Sequence, residues 1–252
     1  MMALKNRISL PSPLFGLFCS TPSPLTVELI AAAGYDFTII DLEHTLISPD
    51  QLAVMLMAAR ASGISALVRV AAPYQALQAL DNGAEGIVFA RIRSPAQALD
   101  AVRSCHYAPL GLRGLNSTWH SAYGRDDLVE TMHAMALETL VIAMIEDLEG
   151  LEHVDAIAGV DGIDALMEGA ADLSQSLGLP WQTRHPRVRA GVSAIQSAAA
   201  RNGKAFCCLP RAKEDFDCAV EQQVRLFILG DDRGITRRAM NSHLVQHKPS
   251  LR

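Results

Sequence analysis

The chain has 252 residues, half of them hydrophobic and 19% charged, with a mean hydropathy of +0.17. That is enough chain for a full core, and the composition excludes a disordered or fibrous protein. The formal charge of −5 comes with no basic block, which argues against a nucleic-acid partner and leaves small anionic substrates open to local arginines.

The apolar stretches are too short to span a bilayer, so no membrane partner is expected. The N-terminal MMALKNRISLPSP lacks the apolar run of a secretory signal. Five scattered cysteines with no C-x-x-C pair read as reduced thiols of a cytoplasmic protein. No linker or composition break interrupts residues 1–252, so one domain is expected.

In chain order, short apolar runs predict strands at 14–20, 37–41, 66–70, 86–90, 139–145, 162–167, 205–209 and 226–230. Longer stretches between them predict helices opening near Pro24, Pro49, Pro73, Pro95, Asp127, Leu151, Pro186 and Lys213, with a last one from Ile235. The strands read as continuous apolar runs, as they do when both faces are buried. Eight strand–helix units in this length predict an α/β fold, a closed (β/α)8 TIM barrel. An open doubly wound sheet is the alternative, but its glycine-rich turn is absent after the first strand, which runs into Cys19-Ser20-Thr21-Pro22.

In such a barrel the active site lies at the C-terminal ends of the strands. The polar residues there are Ser20; Asp41, Glu43 and His44; Arg69; Arg91; Glu146 and Asp147; Glu168 to Asp172; Pro210 and Arg211; and Asp231 to Arg233. Asp41-Leu42-Glu43-His44 leaves the apolar strand FTII, which suits a general acid/base histidine oriented by a carboxylate better than a surface ion pair. Arg69 interrupts an apolar strand, a costly position unless the guanidinium is paired or holds a substrate oxygen. Glu146 and Asp172, from adjacent strands, are candidates for a divalent-cation site. Gly169, Ala170 and Ala171 would let a ligand approach the backbone, and Asp172 could instead cap the turn that follows it.

Six other histidines (His106, His133, His153, His185, His243 and His247) are expected in solvent, and the methionines are expected to fill the core. The 109–124 loop, with His120, is long enough for a functional role.

These residues also carry a family resemblance. Asp41-x-Glu43-His44, Val68-Arg69-Val70, Leu80-Asp81-x-Gly83-Ala84-x-Gly86, Arg113-Gly114, Met144-Ile145-Glu146 and Gly169-x-x-Asp172-Leu173-Ser174 resemble the HpcH/HpaI family of class II pyruvate aldolases over about residues 14–240. The resemblance implies a phosphoenolpyruvate/pyruvate-type barrel, usually a hexamer. It also implies that Glu146 and Asp172 bind a divalent metal, His44 does acid/base work oriented by Asp41, and Arg69 stabilises a substrate oxygen.

The chain departs from that pattern in Met144, where the family has Gln, and in Gly169-Ala170-Ala171-Asp172, where it has Gly-Pro-x-Asp. The strings FGLFCS, EGAADLSQSLG, PWQT and LGDDRG are similar instead to the branch of citrate synthases in siderophore gene clusters. That likeness implies condensation of oxaloacetate with acetyl-CoA on an aldolase scaffold; a homo-oligomer is expected, and a carboxylate free of metal, Glu146 first and Asp172 second, is the candidate acceptor of the methyl proton. It further implies that no cofactor is required, although a cation such as Mg or Ca can bind. The main-chain N–H groups of Gly169, Ala170, Ala171 and Asp172 would then hold an oxaloacetate carboxylate. The alternatives are a Mg- or Mn-dependent pyruvate aldolase and a silent barrel that binds a metabolite as a regulator.

Overall fold

The computed structural model describes residues 2–248. Among them, strands β1 (Leu14–Cys19), β2 (Phe37–Asp41), β3 (Ser65–Val70), β4 (Gly86–Phe89), β5 (Leu140–Ile145), β6 (Ala165–Glu168), β7 (Ala205–Cys208) and β8 (Leu226–Asp231) close into a barrel in sequence order. Every pair is parallel, including β1 with β8. The helices are α1 (Leu4–Arg7), α2 (Pro24–Ala32), α3 (Pro49–Ser62), α4 (Gln75–Asp81), α5 (Pro95–Cys105), α6 (Leu128–Glu138), α7 (Leu148–Glu152), α8 (Val154–Ala158), α9 (Ala170–Ser176), α10 (Pro186–Arg201), α11 (Lys213–Glu221) and α12 (Asp232–His247). No helix among the described residues is long and apolar enough to cross a membrane.

Local sequence explains most boundaries. Proline opens α2, α3, α5 and α10, where a missing N–H costs nothing. Ser48 and Gln51 close a capping box on α3, and Gly63 ends that helix at φ 67°. Pro73 does not open α4. The side chain of Gln75 accepts from the Ala71 and Ala72 amides, so the helix begins only at Gln75. Strand β6 begins three residues later than expected because Gly162, at φ 94°, and Ile163 turn back onto Val160.

Alternation along the strands decides which residues face the lumen. Phe37 and Ile39, Leu67, Val88, Leu140, Ile142, Met144 and Met167 pack inside the barrel. Ile40, Val68, Val70, Ile87, Val141, Ala143 and Ile145 pack outward against the helices. Gly16 belongs to the inner layer, and a Cβ there would sit 2.4 Å from the Phe37 ring. Leu4, on a short helix with no sequence signal, is fully buried among the inner side chains. Its amide donates to Glu85 just before β4, so α1 closes the base of the barrel.

Candidate active site

The same alternation carries Asp41, Arg69 and Glu146 to the lumen side, one layer above Ile39, Leu67 and Met144. Parallel register sets Asp41 beside Arg69 on adjacent strands. The pair forms a fork: Arg69 Nε donates to Asp41 Oδ1 at 2.9 Å and Nη2 to Oδ2 at 2.8 Å. Arg69 also lies 4.6 Å over the Phe18 ring. Burial pushes the Asp41 carboxyl up, but the Arg69 guanidinium more than offsets this and holds it below its ordinary value.

The third Arg69 nitrogen, Nη1, faces Glu43 Oε2 at 3.3 Å and Met144 Sδ at 4.0 Å. Glu43 is the hub of the mouth. Its carboxylate meets Arg69, lies 3.6 Å from His44 Nε2, and lies 3.6 Å from Arg91 Nε. Its Oε2 is buried without a hydrogen-bond partner. The carboxylate beside the His44 imidazole is therefore Glu43. Asp41 does not orient the ring as expected; its Oδ1 instead accepts from the backbone amides of Glu43 and His44 and shapes the turn that carries them. His44 is 56% exposed.

Glu146 follows β5 and is almost wholly shielded from solvent. Its Oε1 accepts from the Arg91 amide at 2.9 Å, and Arg91 adopts φ 54°. Burial, then the charges of Glu43 and Asp172, push the Glu146 carboxyl up to about 7. A Cβ on Gly169 would lie 2.4 Å from Glu146 Cβ and 2.7 Å from its Oε2. Glycine is needed there to make room for Glu146, and not only for a ligand.

Residues 169–172 depart from two expectations. The Gly169 amide donates to Ile145 O at 3.1 Å, and the Ala170 amide donates to Glu168 Oε2 at 3.0 Å. Only the Ala171 and Asp172 amides can serve a ligand as first-turn donors of α9. Asp172 does not cap a following turn; it sits inside the first turn of α9, with Gly169 in the preceding position. Its carboxylate is 4.0 Å from Arg91 Nη2.

Above these groups opens a cavity of ≈ 470 Å³. Its lining includes the charged or titratable side chains of His44, Arg69, Asp172, Arg211 and Asp231 and the apolar ones of Phe18, Leu209, Ile228 and Trp181. Glu146 lies directly against Gly169, one of the lining residues. Among the described residues no group of three or more His, Cys, Asp and Glu side chains is arranged to hold a metal ion. Glu146 and Asp172 supply two carboxylates, but the neighbouring lumen residue on β5 is Met144. A thioether is a poor ligand for a hard cation, so a cation here would be held by the two carboxylates with waters and substrate oxygens.

Several other polar strand ends have structural partners. Glu168 points away from the lumen and accepts from the Ala170 and Leu209 amides. Asp147 caps α7 and Asp231 caps α12. Asp232 accepts from the Ser20 and Thr21 amides. The 109–124 loop lies at the opposite end of the barrel, where His120 Nε2 meets Leu80 O at 3.1 Å and burial pushes its imidazole down to about 4. His106, expected in solvent, is buried with neither ring nitrogen partnered, and burial lowers it to about 4. Sequence reading singled out Glu43 only within the tetrapeptide and gave Arg91 and Trp181 no role.

A closed parallel barrel with this mouth is a (β/α)8 fold of the phosphoenolpyruvate/pyruvate type. The chain belongs to the HpcH/HpaI aldolase/citrate lyase family, whose model matches residues 14–238. It is similar to the crystal structure of citrate synthase SbnG, with 42% identity, TM-score 0.91, and 98% of this chain and 97% of that one covered. It is 38% identical to a 4-hydroxy-4-methyl-2-oxoglutarate aldolase of Chaetomium globosum, covering 72% of this chain and 70% of the relative. It is 36% identical to a hydroxypyruvate/pyruvate aldolase of Paraburkholderia phytofirmans, covering 79% and 80%.

Proposed function

We propose that the chain is a citrate synthase that condenses oxaloacetate with acetyl-CoA, supplying citrate for siderophore biosynthesis. The likeness to citrate synthase SbnG over nearly the whole of both chains carries this reading. The mouth supports it chemically. Glu146, held near neutrality by burial and like charges, suits a base that takes the methyl proton of acetyl-CoA. The resulting enolate carbon attacks the keto carbon of oxaloacetate, forming one C–C bond, and the keto oxygen takes a proton. Water then cleaves the thioester, so oxaloacetate, acetyl-CoA and water become citrate, CoA and a proton.

In this reading Arg69 Nη1 and His44 stabilise the negative oxygen, and the Ala171 and Asp172 amides hold a carboxylate. No step needs a cation. A divalent ion on Glu146 would occupy the lone pair that must take the proton. The test is thiol release from acetyl-CoA with oxaloacetate, titrated with EDTA and with Ca²⁺. Full activity in excess EDTA and inhibition by Ca²⁺ are expected.

A second reading, a metal-dependent pyruvate aldolase, is favoured by the curated aldolase relatives and by the retained Glu146 and Asp172. Activity abolished by EDTA and restored by Mg²⁺ or Mn²⁺, with pyruvate and an aldehyde as substrates, would replace the first reading with the second.

A further inference from the structure

The cavity is larger than the electrophile alone requires. Oxaloacetate has nine non-hydrogen atoms; even at the roughly 30 Å³ that a water occupies in the liquid, they fill about 270 Å³. The cavity is ≈ 470 Å³. Trp181 is one of the residues that line it.

Trp181 is an unexpected residue for its place in the backbone. The Gln182 amide donates to Leu179 O at 3.0 Å, closing a turn with Pro180 and Trp181 at its centre. Trp181 adopts φ 66°, the conformation that the second central position of such a turn demands and that glycine supplies without strain. The residue is 79% exposed, so core packing does not account for it. The residue lines the cavity together with His44, Arg69 and Asp172.

We infer that Trp181 is the shelf on which the pantetheine arm of the acyl-thioester substrate leaves the mouth, and so a specificity-determining residue. The inference rests on the citrate-forming reading above. Arg69, His44 and the Ala171 and Asp172 amides take the dicarboxylate. The thioester must meet it there, and its long amphipathic carrier can lie on the apolar lining residues Phe18, Leu209 and Ile228 and on the exposed Trp181. The carrier of a small aldehyde substrate would not exist, and the indole would have nothing to bind.

The experiment is steady-state kinetics of the full chain and of Trp181→Gly and Trp181→Phe, with acetyl-CoA and with acetyl-pantetheine. Glycine keeps the turn, so folding is preserved. The expected result is a KM for both thioesters raised roughly tenfold in Trp181→Gly. The KM for oxaloacetate and kcat should stay unchanged, and Trp181→Phe should recover most of the loss. Wild-type turnover of acetyl-CoA with an unchanged thioester KM in Trp181→Gly overturns the inference alone. A rise confined to acetyl-CoA overturns the arm assignment in favour of a nucleotide contact. No citrate formation by the wild type overturns the proposed function and this inference together.

Discussion

The two ends of the barrel carry the same device in different surroundings. At the mouth Arg69 is forked onto Asp41 and stacked on Phe18; at the base Arg113 Nη2 bonds Asp81 Oδ1 at 2.7 Å and lies 4.7 Å from the Tyr107 ring centroid. The guanidinium is buried at both ends. Around Arg69 stand Glu43 and Glu146, with Asp172 near them, under an open cavity. Around Arg113 stand a neutral, buried His106 and unpartnered donor atoms, Nε and Nη1 of its own guanidinium. A buried arginine–aspartate pair is thus not by itself the mark of a site. Surplus acid beside a cavity is.

The comparison breaks most visibly at His44. His44→Ala should lower kcat by about 10²–10⁴-fold, the usual worth of a positioned acid/base group, without lowering the melting temperature, because the ring is half exposed. At the base the effect should move from rate to stability. Arg113→Met leaves Asp81 without its partner and should cost about 3–5 kcal/mol in urea denaturation, with kcat per folded molecule unchanged. A loss of kcat in the Arg113 variant at full folding would erase the distinction between the two ends.

Glu146→Gln should separate rate from stability in the opposite sense. The native carboxyl titrates at about 7 against an ordinary 4.5. Between those values the folded state binds the extra proton, so stability falls as pH rises from 4.5 to 7 and is level above. The amide lacks this cost. The variant should be inactive yet more stable than wild type at pH 8, on the order of 3 kcal/mol, with the gain vanishing near pH 4. Denaturant titrations at pH 4 and pH 8 check both halves.

Much of this was legible in the sequence. Apolar strand runs and prolines at helix starts were enough to number the units, and chain order placed Asp41, Arg69 and Glu146 at one mouth. What stayed hidden depends on side-chain direction and on which amides are already used. Glu168 and Glu146 both end apolar strands, yet strand parity turns one out and the other in. Gly169 and Ala170 look like an anion cradle, but their N–H groups are spent on Ile145 and Glu168. His106 follows an amphipathic helix and reads as exposed until the chain beyond it folds back, with the Arg113 amide bonded to its carbonyl. The 109–124 loop is long because it covers the base, which length alone does not reveal.

The central claim is that burial, reinforced by the charges of Glu43 and Asp172, raises the Glu146 carboxyl to about 7 and so makes it a base. The pH dependence of kcat/KM for citrate formation, in wild type and in Glu43→Gln, tests it most directly. The wild-type rate should rise with pH through an apparent pKa of about 7, and removing the Glu43 charge should move that midpoint to lower pH, whatever happens to the plateau. A profile flat from pH 5.5 to 8.5, or a midpoint that stays in place in Glu43→Gln, would contradict it.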